Sequence, residues 1–179
     1  AQALEPVAQA LGVACLEEAL ALREGGITAP ILLLEGPFEE AEVGVAAAEN
    51  LWLMLENAAQ IQWLLHAGIT NPVRAWVKLD TGMHRLGLPP QQAGSAYQRL
   101  AASDNVADVV MATHLACADG PERSETAQQL AVFDHACEGI PGGRSVANSA
   151  GLLAWPDARR DWNRPGIMLY GSSPFAVAQ

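Results

Sequence analysis

Residues 76–87 read Trp-Val-Lys-Leu-Asp-Thr-Gly-Met-His-Arg-Leu-Gly, an apolar strand pattern that runs into a polar turn punctuated by glycine. Four ionisable side chains fall within eight residues of this stretch: Lys78, Asp80, His84 and Arg85. Lys78 is also the only lysine among the 179 residues. In a chain that is otherwise apolar or acidic, such a density of charge indicates a site at the end of a strand.

On both sides of this stretch, short apolar runs alternate with amphipathic helical segments, which is typical of repeated βα units and a parallel sheet. Residues 30–36 are apolar on both faces, as expected of a buried parallel strand. The spacing of apolar residues in 1–11 predicts a helix at the start of the chain. Six or seven strands are predicted, at residues 12–15, 30–36, 51–55, 72–79, 106–113, 144–147 and 166–170. For residues 51–55, the leucine and methionine content leaves a helix as the alternative.

Two architectures suit this pattern, an open doubly wound sheet and an eight-stranded α/β barrel. Both bind ligands at the carboxyl ends of their strands, and the polar clusters of this sequence fall there. No G-x-G-x-x-G or P-loop motif is present, which argues against a dinucleotide site. The pattern therefore favours a (β/α)8 TIM-type barrel, incomplete in this chain and forming a single partial domain over residues 1–179.

Composition excludes several classes of function. With a net charge of −10, a nucleic-acid partner or an anionic membrane surface is not expected. No apolar run approaches the ~20 residues of a membrane span. The three cysteines, Cys15, Cys117 and Cys137, form no C-x-x-C pair, so we expect reduced thiols in a cytoplasmic protein rather than disulfides or a zinc site.

Lys78 and Asp80 are two residues apart, so their side chains point to the same face of the predicted strand. If the neighbouring apolar residues face the helices, Lys78 points into the barrel, where a lysine needs a partner such as Asp80. The alternative is a strand-end lysine that reaches water, and spacing alone does not separate the two. A lysine in a dry pocket can also be a Schiff-base nucleophile, because desolvation lowers its pKa.

Arg85 lies in a glycine-flanked loop, which suits bidentate recognition of a carboxylate or phosphate; the alternative is a solvated surface arginine. His114 directly follows the apolar run 109–113, so it is either a site residue or a hydrogen-bonded core group. The other three histidines have no ligand-like spacing to it, and no metal is expected.

Residues 148–151, Asn-Ser-Ala-Gly, predict a helix N-terminus whose free amides could seat a phosphate, although ordinary helix caps have the same pattern. Arg164 precedes a proline and Gly166, whose amide could approach a ligand closely. The alternative for Arg164 is a loop arginine paired with Asp161. Together, these polar clusters at strand ends predict an anion-binding active site.

The stretch 77–87 resembles the K-x-D-T-G-M-x-R-x-G motif of bacterial alanine racemases. The similarity continues, in the order and spacing of that family, through residues 12–19, 31–36, 113–119, 147–150 and 164–171. It therefore covers nearly the whole chain. Members of the family pair an α/β barrel with a carboxyl-terminal β domain, form homodimers and use pyridoxal 5'-phosphate, so the resemblance implies interconversion of L- and D-alanine, which supplies D-alanine for peptidoglycan.

The resemblance also implies roles for individual residues. Arg164 would contact the pyridine nitrogen of the cofactor, His114 would lie against its ring, and Arg85 would bind the substrate carboxylate. Lys78 matches a lysine that is carbamylated in some members, where its negative charge orients the arginine. Lys78 and its neighbour Asp80 are therefore given supporting roles.

The cofactor phosphate would be held by a second group of residues. Ser149 would contact it together with the backbone amides of Gly166 and Ile167, and Asn148 would support that turn.

The departures from the family pattern concern catalysis. The K-A-[ND]-A-Y-G-H-G motif that carries the Schiff-base lysine is absent, and Lys78 occupies a different position of the family. The catalytic tyrosine belongs to the carboxyl-terminal β domain, which is absent too. We therefore expect the central barrel fragment of a racemase, inactive by itself. The alternatives are a broader-specificity or serine racemase, a non-catalytic pyridoxal-phosphate-binding barrel, and an inert, poorly folded piece.

Overall fold

The computed structural model describes residues 1–120, 122 and 124–175, and in these residues six β-strands alternate with six α-helices. The strands are β1 (Leu11–Val13), β2 (Ile31–Leu33), β3 (Leu51–Leu55), β4 (Val73–Lys78), β5 (Val106–Ala112) and β6 (Arg144–Ser145). The helices are α1 (Leu16–Glu24), α2 (Ala41–Ala48), α3 (Ala58–His66), α4 (Ala93–Ala101), α5 (Ser124–Ala136) and α6 (Ser149–Ala154). No helix in this described part of the chain is long and apolar enough to cross a membrane.

The six strands form one sheet in the order in which they occur in the chain, from β1 to β6. The pairings β1–β2, β2–β3, β3–β4 and β5–β6 are all parallel. A doubly wound sheet reverses its strand order at a switch point, whereas a barrel keeps the order of the chain. The topology is therefore that of an incomplete (β/α) barrel, and the predicted fold class is confirmed.

The chain divides into two compact units, of which the first comprises Ala1–Val77 and Ser95–Val109. Strands β2 and β3 are buried along their whole length, as the continuous apolar pattern predicts. Trp52 stacks on Trp76 with ring centroids 6.3 Å apart, and the guanidinium of Arg74 lies 4.4 Å from the centre of the Trp52 ring. The first unit thus has an apolar core that includes a cation–π contact.

The second unit comprises Lys78–Gly94 and Val110–Gln179. It contains the loop after β4, the end of β5, β6 and the helices α5 and α6. All nine residues predicted for the site lie in this unit, namely Lys78, Asp80, Arg85, His114, Asn148, Ser149, Arg164, Gly166 and Ile167.

The predicted strand at residues 166–170 is wrong, because Ile167–Tyr170 forms a 3-10 helix. Strand-like pairing occurs earlier: the N–H of Trp162 donates to the carbonyl of Arg144 at 3.0 Å, and the N–H of Arg164 donates to that of Ala147 at 2.9 Å. The next residue is a proline, which has no N–H to continue the ladder. Gly166 then turns the backbone to φ −123° and ψ −87°, and the chain leaves the extended conformation.

The predicted helix at residues 1–11 is also wrong, because residues 2–7 form turns and β1 begins at Leu11. Pro6 removes a backbone donor from any helical ladder through this segment. The carboxylate of Glu5 instead accepts the N–H groups of Thr28 and Ala29 at 2.7 and 2.9 Å. A contact distant in sequence therefore holds this segment, which a local pattern does not reveal.

Candidate functional site

The loop after β4 is organised by the carboxylate of Asp80. Its Oδ1 accepts the backbone N–H groups of Gly82, Met83 and His84 at 3.0, 3.1 and 2.9 Å, and its Oδ2 lies 3.2 Å from Nδ1 of His84. Partial burial opposes ionisation, but these N–H groups and the charge of His84 outweigh it and lower the pKa of Asp80. His84 itself adopts a positive φ of 57°. The bonds of Asp80 therefore order its own loop.

The same loop folds back onto the strand that it leaves. The N–H of Leu88 donates to the carbonyl of Lys78 at 2.8 Å, and the N–H of Asp80 donates to that of Leu88 at 2.9 Å. Between them, Gly87 has a φ of 128°, and a Cβ there would lie 2.7 Å from the nitrogen of Asp80. This closure fixes both ends of the exposed segment that carries Arg85.

Lys78 is buried, with 8% of its surface exposed, so the alternative of a strand-end lysine in water is wrong. Its charge lies near His114, because Lys78, Arg85 and Arg164 all contribute to the electrostatic environment of that ring. Positive charge thus reaches one histidine from two segments of the second unit, the β4 loop with Lys78 and Arg85, and the later segment with Arg164.

His114 is neutral at physiological pH. Its burial is the main cause, and the nearby charges of Arg164, Arg85 and Lys78 add to it; together they lower the pKa of His114 to about 4. Nη2 of Arg164 lies 3.5 Å from Nδ1 of His114. Because a guanidinium has donors only, Nδ1 accepts and the ring hydrogen is on Nε2.

The guanidinium of Arg164 is held by strand ends rather than by Asp161. Its Nη2 donates to the carbonyl of Thr113 at 2.6 Å, and its Nη1 donates to the hydroxyl of Ser145. Asp161 instead accepts the backbone N–H of Arg144 at 2.8 Å. Burial lowers the pKa of Arg164 to about 10, which still leaves it charged at neutral pH.

Helix α6 begins as predicted from the 148–151 pattern. Oδ1 of Asn148 caps it by accepting the N–H of Gly151 at 2.9 Å. Ser149 is buried, and its hydroxyl oxygen accepts the N–H groups of Gly166 and Met168 at 2.9 and 3.4 Å. The structure thus brings Ser149 and Gly166 together across 17 residues of sequence.

Ile167 lies between Gly166 and Met168, the two residues whose N–H groups donate to Ser149. It is the first residue of the 3-10 helix, and 53% of its surface is exposed. N–H groups in the first turn of a helix have no partner inside that helix and are available to an anion. A Cβ added at Gly166 would meet nothing within 4 Å, so there is room for a ligand to approach its backbone.

A buried polar network beneath these residues was not predicted from the sequence. Oγ1 of Thr81 lies 2.8 Å from Oγ1 of Thr113, which donates to the carbonyl of Leu79 at 2.9 Å. Nε2 of Gln129 donates to Thr81 Oγ1 at 3.3 Å and to the carbonyl of His114 at 3.0 Å. The network therefore joins the loops that follow β4 and β5.

A signal for Gln129 was present in the sequence. It lies three residues after Thr126 and four before Phe133, and both are buried on the inner face of α5. A glutamine at that helical spacing lies on the buried face and needs polar partners there.

The described residues fit a cofactor that is aromatic and anionic. Lys78, Arg85 and Arg164 supply positive charge, His114 supplies a neutral ring, and the backbone at Gly166 is accessible. Pyridoxal phosphate has these properties, with a phosphate and a pyridine ring that accept hydrogen bonds.

Comparison with known proteins gives a consistent result. The family model described as "Alanine racemase, N-terminal domain" matches residues 1–174. The biosynthetic alanine racemase of Escherichia coli O6:H1 is 52% identical over 170 residues, which are 94% of this chain and 47% of that protein. The catabolic alanine racemase of Pseudomonas putida is 48% identical over 179 residues, 100% of this chain and 50% of that protein.

Among solved structures, that of the biosynthetic alanine racemase from Pseudomonas aeruginosa superposes with a TM-score of 0.93 at 43% identity. The match covers 98% of this chain and 49% of that one. The chain thus spans about half the length of the relatives that it matches.

Proposed function

Because this chain belongs to the alanine racemase N-terminal domain family, we propose that the protein containing it interconverts L-alanine and D-alanine with pyridoxal 5'-phosphate. The observation that carries the proposal is the contact of Arg164 with a neutral His114 at the strand ends. The names of relatives that are 48% and 52% identical support alanine as the substrate.

We propose that the cofactor is bound by five residues: Arg164, His114, Ser149, Gly166 and Ile167. Pyridoxal phosphate, when bound, supplies an electron sink that makes the α-proton of an amino acid acidic. Arg164 would face the pyridine nitrogen, and because its guanidinium stays charged and donates only, it holds that nitrogen unprotonated.

The phosphate is assigned to the Ser149 hydroxyl and the amides of Gly166 and Ile167. The Gly166 N–H donates to the Ser149 hydroxyl at 2.9 Å, so the two groups lie side by side, and a phosphate oxygen would accept from both of them. Asn148 supports this group from the helix cap, where its side chain also reaches the carbonyl of Leu115 at 3.4 Å.

We assign the substrate carboxylate to Arg85. Its guanidinium can bind both carboxylate oxygens, and its loop is fixed at both ends before a ligand arrives. Lys78 and Asp80 support it: Lys78 adds buried positive charge, or negative charge if carbamylated, and Asp80 orders the backbone of the loop.

The two proton-transfer groups are proposed to lie outside these 179 residues, as the lysine and tyrosine that the family resemblance implies. Lys78, the sole lysine here, is in the D-T-G-M motif and is given a supporting role. The chain alone is therefore proposed to be inactive, and the whole protein to be a cytoplasmic homodimer that supplies D-alanine for peptidoglycan.

The proposal is tested by racemisation assays on the full-length protein, with alanine, serine and lysine compared under identical conditions. We expect alanine to have the highest kcat/KM, and a faster reaction with serine or lysine would contradict the substrate assignment. The 179-residue chain is then incubated with pyridoxal phosphate and reduced with borohydride. We expect no reduced pyridoxal-phosphate adduct on Lys78. A stable adduct there would contradict the supporting role proposed for Lys78.

A further inference from the structure

We propose that Gln129 is a positioning residue that holds the loop carrying Arg85 and the loop carrying His114 in one fixed arrangement. The inference rests on the proposed function only in so far as those two residues contact substrate and cofactor. Gln129 is on α5 and has 3% of its surface exposed, so it does not itself meet a ligand.

Both the nitrogen and the oxygen of the Gln129 side-chain amide form hydrogen bonds. Its Nε2 donates to the carbonyl of His114 at 3.0 Å and to Oγ1 of Thr81 at 3.3 Å. Its Oε1 accepts the N–H of Ala116 at 2.9 Å. Since a backbone carbonyl only accepts and a backbone N–H only donates, these partners fix the orientation of the amide.

The network is also directional. The Thr113 hydroxyl donates to the carbonyl of Leu79, so the 2.8 Å contact between the two threonine hydroxyls is made by the hydrogen of Thr81. Thr81 therefore accepts from Gln129 and donates to Thr113. Each link depends on the one before it, and the first donor is the amide of Gln129.

Gln129 also contacts the first loop through packing. Gly82 has a φ of 135°, and a Cβ added there would lie 3.3 Å from Cγ of Gln129. The N–H of Gly82 is held by Asp80 on the same loop. The aliphatic part of Gln129 thus lies against the turn that leads to Arg85.

The same arrangement occurs a second time, within the first unit. Nε2 of Gln60, on α3, donates to the backbone carbonyls on either side of Gly36 at 2.9 and 3.0 Å, and its Oε1 accepts the N–H of Glu56 at 2.8 Å. Gly36 has a φ of 70°, and a Cβ there would lie 2.9 Å from Nε2 of Gln60.

Each glutamine thus joins the loops after two consecutive strands and packs on a glycine with positive φ in the first of them. Gln60 joins the loops after β2 and β3, and Gln129 those after β4 and β5. The repetition indicates a device for fixing strand-end loops in this fold. Only the loops held by Gln129 carry residues that we assign to the site. We therefore expect loss of the Gln129 hydrogen bonds to affect function as well as stability.

The test replaces Gln129 by methionine in the full-length protein, which keeps the side-chain length and removes every hydrogen bond. The matched control is Gln128→Met, an exposed position next to it on α5. Gln60→Met serves as the comparison for lost stability. We expect kcat/KM for alanine to fall roughly 10- to 100-fold in Gln129→Met, because small displacements of a reactive group have effects of this size, and to stay within about twofold in Gln128→Met.

A readout independent of turnover separates positioning from stability. Histidine-selective NMR titration is expected to show the pKa of His114 rising in Gln129→Met, because a loosened loop admits water to the ring. It is expected to be unchanged in Gln128→Met and Gln60→Met. If Gln129→Met matches Gln60→Met in the titration, Gln129 is structural only. The titration distinguishes a positioning role of Gln129 from a structural one even if the protein does not racemise alanine.

Should Gln129→Met fail to fold, Gln129→Glu gives a second test. The carboxylate keeps the acceptor for Ala116 and lacks the donors for Thr81 and His114, whereas the protonated acid recovers one donor. The ratio of wild-type to variant kcat/KM is expected to shrink as pH falls from 8 to 6. A ratio that does not change with pH would overturn the proposal.

Discussion

Nη2 of Arg164 lies 3.5 Å from Nδ1 of His114. The same nitrogen donates at 2.6 Å to the carbonyl of Thr113, the residue that precedes His114. One guanidinium therefore contacts both the ring of His114 and the backbone that carries it. Since arginine only donates, the ring hydrogen of His114 is on Nε2. Burial of the ring, together with the charge of Arg164 beside it, keeps His114 neutral.

The lowered pKa of His114 predicts how stability changes with pH. The pKa of His114 is about 4 in the folded chain, below the ordinary value of 6.5. The unfolded state therefore binds the proton first, so the stabilisation is complete above pH 6.5 and is lost as pH falls toward 4. Urea unfolding at pH 7.5 and pH 5 should show the wild type losing about 2 kcal/mol more than His114→Gln. Equal losses in the two proteins would contradict it.

Arg85→Gln is expected to raise the pKa of His114, because one of the charges that disfavour imidazolium is removed. It should also raise the KM for alanine roughly 10-fold or more, since a charge-assisted bond to the substrate carboxylate is lost. Histidine NMR titration and steady-state kinetics measure the two effects. The control is Arg160→Gln, whose side chain pairs with Asp134 at 2.9 Å and should alter neither quantity.

Gly87→Ala is expected to destabilise the protein by about 1–3 kcal/mol, because φ is 128° and the new Cβ would lie 2.7 Å from the nitrogen of Asp80. Chemical denaturation measures the loss. Gly94→Ala is the matched control, since Gly94 lies in α4 with nothing within 4 Å of its Cβ position. That change should stabilise by about 0.5–1 kcal/mol. A neutral Gly87→Ala would mean that the loop does not close as described.

Asn148→Ala and Asn57→Ala remove two helix caps of the same kind. Oδ1 of Asn57 accepts the N–H of Gln60 at 3.0 Å, as Oδ1 of Asn148 accepts that of Gly151 at 2.9 Å. Each variant should lose about 1 kcal/mol of stability. Only Asn148→Ala should weaken binding of pyridoxal phosphate, measured by absorbance titration of the full-length apoprotein. Equal affinities in the two variants would remove Asn148 from the cofactor site.

The hydrophobic pattern predicted strands β2 to β5, because each contains an apolar run that is buried in the sheet. Strands β2 and β3 are buried along their whole length, and β5 over its last four residues. It also placed Asn148 at a helix start, since capping depends on residues three positions apart. Residues 166–170 are equally apolar, yet Ile167, Leu169 and Tyr170 are exposed in a 3-10 helix. Their conformation depends on a proline and on bonds to Ser149, 17 residues earlier.

The sequence by itself determined the order of the strands, the polar stretches that follow them and the family to which the chain belongs. Local spacing carries that information, because side chains near one another in sequence share an element. The tertiary structure alone decided that Arg164 contacts His114 across 50 residues of sequence, and that Gln129 joins the loops that follow β4 and β5. The loop from Lys78 to Arg85 is therefore recognisable in the sequence, and Asp80 orders it locally. Its attachment to the loop after β5 depends on hydrogen bonds from Thr113 and Gln129, which no local pattern encodes.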